Sequence, residues 1–306
     1  MESQYNLITI LGPTATGKTK LAAHLAYKIN SAVISADSRQ VYKNMDIGTG
    51  KDLSEYFVNN IEIPHYLIDI CNAGEKYNVF QFQQDFYKVY NELKEENIIP
   101  ILCGGSGLYI ESILKSYKML PVPINESLRK ELKNKTLEEL TILLSKYKTL
   151  HNKTDVDTKN RAIRAIEIAD YQATHNIETK EYPLINSLNI GIFYEREILK
   201  KRITERLKYR LNNGMIEEVE KLIKAGIKKD ELIYYGLEYK FITLYIFGEM
   251  SYAEMFEKLN IGIHQFSKRQ MTWFRKMEKN GIKINWIDGN MSLEDKINNI
   301  LSFLKI

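Results

Sequence analysis

Two cysteines in 306 residues, Cys71 and Cys103, are too few for a disulfide framework or a cysteine-rich zinc site. Both stand in apolar surroundings, as buried free thiols do. Charge of one sign is not in marked excess: 43 Lys and Arg face 39 Asp and Glu, and a net +4 does not by itself point to nucleic acid. No uninterrupted apolar run reaches membrane-spanning length, and no basic segment precedes a long apolar one, so a soluble cytoplasmic protein without a membrane partner is expected. The histidines at 24, 65, 151, 175 and 264 have no metal-ligand spacing with one another or with a cysteine. Internal repeats and low-complexity linkers are absent from the sequence. What remains is a globular composition, 44% apolar, sufficient for one large domain with an inserted piece or for two domains.

Against that background residues 12–19 stand out. They read Gly12, Pro13, Thr14, Ala15, Thr16, Gly17, Lys18, Thr19 and directly follow the apolar run at 7–11. A glycine turn between a strand and a helix leaves backbone N–H groups aimed at an anion. Lys18 adds a mobile positive charge, and the Thr19 hydroxyl suits a phosphate-bound Mg²⁺. Such a loop grips a di- or triphosphate, without saying whether the phosphate is transferred, hydrolysed or released as a leaving group. ATP-using kinases are its commonest users.

Short apolar strands alternate with helices through residues 1–118. Strands are expected at 7–11, 32–35, 66–70 and 98–103, and helices at 18–29 and 80–95. This is the pattern of an α/β parallel sheet flanked by helices, with the phosphate loop as in P-loop NTPases. The polar clusters at 12–19, 37–40 and 104–107 all follow strand ends, where ligands of such sheets bind, so they should converge. After Pro121 and Pro123 the pattern changes to helix-period leucines and alanines over 125–181, a helical insertion. A strand at 187–194 would rejoin the sheet. Helices are expected through 197–224, 251–259 and 263–279, with a last strand at 284–287. The division is therefore 1–120 for the first part of the core, 121–184 for the insertion and 185–306 for the second part of the core.

Asp37 at a strand end, flanked by Ser38, Arg39 and Gln40, suits an acid that organises Mg²⁺, orients an acceptor or takes a proton from an amine; it equally suits a cap of the following turn. The glycines around Ser106 permit close backbone approach to a ligand, or simply a turn. Arg202, Arg206 and Arg210 are four residues apart and share one helical face beside the stripe of Ile203, Leu207 and Leu211. Such a row can neutralise a departing diphosphate, follow a nucleic-acid backbone or merely be solvated. In the segment 268–276, Lys268 and Arg269 suit phosphate contacts, whereas Trp273 and Phe274 suit core packing.

Taken in order, residues 12–19, the run from Asp37 to Lys51, the Pro64-His65 to Asp69 step, Gly104-Gly105-Ser106-Gly107, the Arg161 to Glu167 stretch, Gly214 with Glu217-Glu218-Val219, and 268–275 resemble the bacterial tRNA dimethylallyltransferases. The resemblance covers roughly residues 5–290. It implies transfer of a dimethylallyl group from dimethylallyl diphosphate to N6 of adenosine 37 in tRNA by a Mg²⁺-dependent monomer. On that resemblance residues 12–19 hold the diphosphate and Asp37 is the acid/base. Arg206 joins Lys18 and Thr19 in stabilising the leaving group. Asp37, Ser38, Arg39, Gln40, Ser106, Arg129, Asn160, Arg161, Arg164, Lys268 and Arg269 face the tRNA. Three departures from the family pattern stand out: a lengthened 151–161 stretch without proline, Ser106 where threonine is usual, and Glu238 in place of a basic residue. All three are expected on the RNA side. The alternatives are a P-loop kinase of a small metabolite and a non-catalytic RNA-binding module.

Overall fold

A computed structural model describes residues 4–147, 156–175 and 181–305. The chain divides into two compact units, Met1–Ser116 with Leu184–Ile306, and Tyr117–Pro183.

The first unit begins with β1 (Leu7–Leu11), α1 (Lys18–Ile29) and β2 (Val33–Ser35). A short antiparallel hairpin follows, β3 (Phe57–Val58) and β4 (Ile61–Glu62), then β5 (His65–Tyr66), α2 (Val79–Glu95), β6 (Ile101–Gly104) and α3 (Gly107–Leu114). The second unit holds α4 (Glu126–Leu132), α5 (Leu137–Tyr147) and α6 (Lys159–Thr174). Back in the first unit come β7 (Ser187–Phe193), α7 (Arg196–Asn212), α8 (Met215–Lys224), α9 (Lys229–Tyr234) and α10 (Leu237–Ile246). The chain closes with α11 (Tyr252–Lys279), β8 (Asn285–Asp288) and α12 (Leu293–Leu304).

Six strands form one parallel sheet in the order β5-β2-β6-β1-β7-β8. Helices cover both faces, so β1 is buried at every position, which is why it reads as an unbroken apolar run. Ile8, Ile10, Leu21, Leu25, Val33, Ile101 and Ile190 form the centre of its core. The three alanines that α1 buries let its axis lie close to the sheet. Because β2, β6 and β1 are neighbours, the loops leaving their carboxyl ends emerge side by side. The second unit has its own core of Leu132, Leu140, Leu144, Ala162 and Ile166.

Several elements differ from the sequence expectation. The strand expected at 66–70 ends at Tyr66, because Leu67 and Asp69 turn into the left-handed region at φ 61° and 57°, carrying the Asp69 carboxylate to Lys51. The helix expected at 197–224 is two helices, parted where Gly214 adopts φ 99°, a conformation that side-chain-bearing residues avoid. Conversely, 251–259 and 263–279 are one continuous helix. Gly262 does not break it but packs 3.4 Å, measured from the Cβ it lacks, from the Leu237 side chain. The β3–β4 hairpin and helices α3, α9, α10 and α12 had no expectation. The lengthened stretch beginning at His151 lies outside the described residues as far as 155.

Candidate active site

The phosphate loop leaves β1 at Leu11 and enters α1 at Lys18. Ala15 and Gly17 take φ 64° and 76°, folding the loop so that the first turn of α1 keeps amides that have no intrahelical partner. Inside the loop, Thr16 Oγ1 donates to Pro13 O at 2.9 Å and Lys18 Nζ donates to the same carbonyl at 2.7 Å. Burial, helped by the nearby Arg206 guanidinium, pushes the Lys18 pKa down to about 8 against the pull of the Asp37 and Glu55 carboxylates.

The loop lines a cavity of about 520 Å³ with Asp37, Arg39, Ser106, Arg206, Glu238 and other residues of the first unit. Asp37 sits just past β2. Its Oδ1 accepts the Arg39 N–H at 2.9 Å, so the capping role is real, and it fixes the carboxylate in place while leaving lone pairs for a ligand. Ser106, just past β6, accepts the Ser38 N–H on Oγ at 3.0 Å, which ties the second and third polar clusters together. Gln40 is buried: its Oε1 accepts from Ser35 Oγ at 3.0 Å and its Nε2 donates to Gly50 O at 2.9 Å.

Helix α7 supplies the cations. It buries Leu199, Ile203, Leu207 and Leu211, which fixes its rotation and sets the arginine row against the loop. Arg202 Nε donates to Ala15 O at 3.0 Å while its guanidinium stacks 4.5 Å from the Tyr194 ring centre. Arg206 Nη2 donates to Thr14 Oγ1. Burial, with Arg210 next to it, brings the Arg206 pKa down to about 10, so this guanidinium is held where an arriving anion would stabilise it. Arg210 is engaged by Asp52, 3.1 Å from Oδ2.

Other expected residues have surroundings of their own. Lys268 and Arg269 are exposed on α11, with Arg269 6.0 Å from the Phe266 ring centre. In the second unit Arg129 Nε and Nη2 each donate to Glu167 at 3.0 Å, and Arg164 pairs with the same carboxylate while donating to Val122 O at 2.8 Å. Asn125 N–H completes the set at 2.6 Å. These bonds hold the Glu167 carboxyl below its ordinary pKa although burial opposes them. Asn160 and Arg161 are exposed, and Arg161 pairs with Asp157.

Glu238, expected on the RNA side, shares its cavity with Arg39 and Ser106, which carry the same expectation. It lines the phosphate cavity, in the field of Arg210 and Arg206, and burial raises its pKa. Sequence reasoning missed Gln270 altogether. This buried α11 side chain accepts the Thr14 N–H on Oε1 at 2.8 Å and donates from Nε2 to Gly105 O at 2.9 Å, strapping the phosphate loop to the glycine cluster. Nothing in its local sequence marks it. Asp52 and Glu55 were missed as well, and only the fold brings them to the cavity.

Comparison with known proteins agrees with this geometry. A model of the IPP transferase family matches residues 40–277. A protein of Bacteroides fragilis named tRNA dimethylallyltransferase 2 is 57% identical over 301 residues, 98% of each chain. One of Parabacteroides distasonis named tRNA dimethylallyltransferase 1 is 58% identical over 293 residues, covering 96% of this chain and 95% of that one. Among solved structures, the tRNA isopentenylpyrophosphate transferase of Bacillus halodurans superposes with a TM-score of 0.71 at 32% identity, covering 98% of this chain and 96% of that one. The extent of these matches, together with a phosphate loop whose cations come from α7, places the chain in the IPP transferase family.

Proposed function

We infer that this chain transfers a dimethylallyl group from dimethylallyl diphosphate to N6 of adenosine 37 in tRNA, releasing diphosphate. The observation that carries the reading is the Arg206–Thr14 contact: a second helix closes the phosphate loop with a half-buried arginine, and a carboxylate stands at the next strand end but one.

Adenine N6 is a poor nucleophile, since its lone pair is delocalised into the ring. The allylic carbon must therefore become electrophilic as its C–O bond loosens. The diphosphate departs with that electron pair, and its growing charge meets the loop amides, Lys18 and Arg206, donors already in place before the reaction. As the N6 lone pair forms the new C–N bond, the amine becomes acidic and Asp37 takes its proton. The base must leave its stack to reach the cavity, which costs least in a single-stranded loop. Ser38, Arg39, Gln40 and Ser106 border the Asp37 side, and the exposed Lys268 and Arg269 suit the RNA backbone. In the second unit Asn160 and Arg161 are exposed for such contacts, while Arg129 and Arg164 hold Glu167.

Mg²⁺ fits this donor set: the Thr19 hydroxyl and the Asp37 carboxylate are hard oxygen donors on one cavity. Among the described residues no three His, Cys, Asp or Glu side chains form a metal cage, and Mg²⁺ on a diphosphate needs only one or two protein ligands beside phosphate oxygens and water. Bound there, it would supply charge neutralisation to the leaving group. No helix among the described residues is long and apolar enough to cross a membrane. A tRNA substrate supports work in the cytoplasm.

The test is to incubate the protein with Mg²⁺, labelled dimethylallyl diphosphate and an anticodon stem-loop carrying adenosine at position 37. Label on N6 of that adenosine is the expected result. No transfer to any unmodified tRNA pool, with ATP consumed on a metabolite instead, would replace this reading with the kinase.

A further inference from the structure

Three sequence motifs have no direct part in the chemistry above: the segment from Asp46 to Lys51, the step ending at Asp69, and the Glu217-Glu218 pair of α8. The fold brings them together. Glu218 Oε2 accepts the N–H groups of Asp46 at 2.8 Å and Ile47 at 2.7 Å, and Oε1 accepts that of Gly48 at 3.0 Å. Tyr239, from α10, donates its hydroxyl to Oε1 at 2.7 Å. Three successive amides converging on one carboxylate make a strong charge-assisted arrangement. Gly48 lies flat on the Tyr239 ring, where a Cβ would come within 2.7 Å. Beyond this turn the fully buried Lys51 donates to Tyr42 O at 2.6 Å and pairs with Asp46, 2.7 Å away, and with Asp69.

What this clasp holds is a wall of the cavity. Gly48, Thr49 and Gly50 line it. Gly50 O receives Gln40, at the end of the segment that starts with Asp37, and Asp52 receives Arg210, one helical turn from Arg206. One turn of backbone thus touches both the acceptor side and the leaving-group side of the site, and Glu218 is what fixes it.

We propose that Glu218 is a positioning residue for the transfer, holding the 46–50 turn so that Asp37 and Arg206 stand in register across the cavity. The proposal rests on the prenyl-transfer reading. It assigns Glu218 no contact with substrate. A misplacement of about 1 Å at reacting groups costs about 100-fold in rate, so Glu218→Ala should lower kcat by about 10- to 100-fold. KM for dimethylallyl diphosphate should stay within about threefold, since the loop amides, Lys18 and Thr19 lie outside the clasp. Glu218→Gln, which keeps acceptor oxygen but turns an NH₂ group toward the amides, should recover part of the loss.

The experiment reads steady-state kinetics alongside amide hydrogen exchange on the full chain. Faster exchange at 46–48 and at 39–40 in Glu218→Ala, with kcat lowered and KM held, supports the proposal. Faster exchange at 46–48 with kcat unchanged, or a loss confined to KM, overturns it. Should Glu218→Ala fail to fold, Tyr239→Phe removes one bond to the same carboxylate without opening a cavity, and an unchanged kcat there overturns the proposal equally. Wild-type protein is measured in parallel: if it transfers no prenyl group, the functional reading fails. In that case the exchange arm still judges the coupling, and unaltered amides at 39–40 in Glu218→Ala overturn the clasp.

Discussion

Lys18 should make diphosphate binding dependent on pH in a range where ordinary lysines are silent. Burial brings its pKa to about 8. At pH 7 about nine-tenths of the chains then carry a protonated Lys18, and at pH 9 about one-tenth do. A diphosphate beside Nζ favours the charged form and returns the pKa toward 10.5, so the protonated chain is the one that binds. The sign follows: affinity is fully present below about pH 8 and falls as pH rises from there toward the bound-state pKa. Between pH 7 and 9 the loss is about tenfold in Kd, or about 1.4 kcal/mol. The second ionisation of a phosphate ester has a pKa near 6 and is about nine-tenths complete at pH 7, so the ligand itself changes little over the interval. Titration calorimetry with dimethylallyl diphosphate and no RNA measures Kd. Repeating it in buffers of different ionisation enthalpy counts the proton taken up, close to one per ligand at pH 9. Lys18→Arg keeps the charge at both pH values and should show neither the slope nor the uptake. A wild-type Kd that is flat from pH 7 to 9, or an equal slope in Lys18→Arg, would refute the reasoning.

Asp37→Asn preserves an oxygen for the Arg39 N–H, so dimethylallyl diphosphate affinity should hold while kcat drops by about 10²- to 10⁴-fold, measured by single-turnover transfer. Arg206→Ala removes a preorganised donor from the leaving-group side and should raise the barrier by about 3–4 kcal/mol, read as kcat against an intact tRNA Kd. Arg129→Ala takes two hydrogen bonds from the buried Glu167 and should destabilise the helical unit by about 1.5–3 kcal/mol in thermal unfolding. A drop in tRNA affinity with unchanged unfolding would instead mean that Arg129 serves the RNA alone.

The features that were legible in the sequence are those set by neighbours along the chain. The run at 7–11 reads as a buried strand because both faces of β1 are covered, and the arginine row reads as one face because α7 is a regular helix. Strand ends then told where Asp37 and the phosphate loop would meet. Gln270 shows the opposite case. It sits between Arg269 and Met271 in a basic helix, and only the approach of α11 to the loop turns its amide into a bridge between Thr14 and Gly105. Glu238 is a related case: only the fold of α10 shows that it lines the phosphate cavity, together with Arg39 and Ser106.

The early end of β5 belongs with these. Apolar periodicity favours a strand through residue 70, but the turn at Leu67 and Asp69 brings a second carboxylate, besides that of Asp46, to the fully buried Lys51, which offsets the ladder hydrogen bonding given up over residues 67–70. The same buried lysine anchors the turn that Glu218 grips. The local pattern therefore failed at places where charges far apart in sequence had to be matched inside the fold. One such match, Asp52 with Arg210, lines the cavity in which the diphosphate is to be released, since a site that stabilises a departing anion needs cations held rigidly, and rigidity at a buried cation requires a partner supplied from elsewhere in the chain.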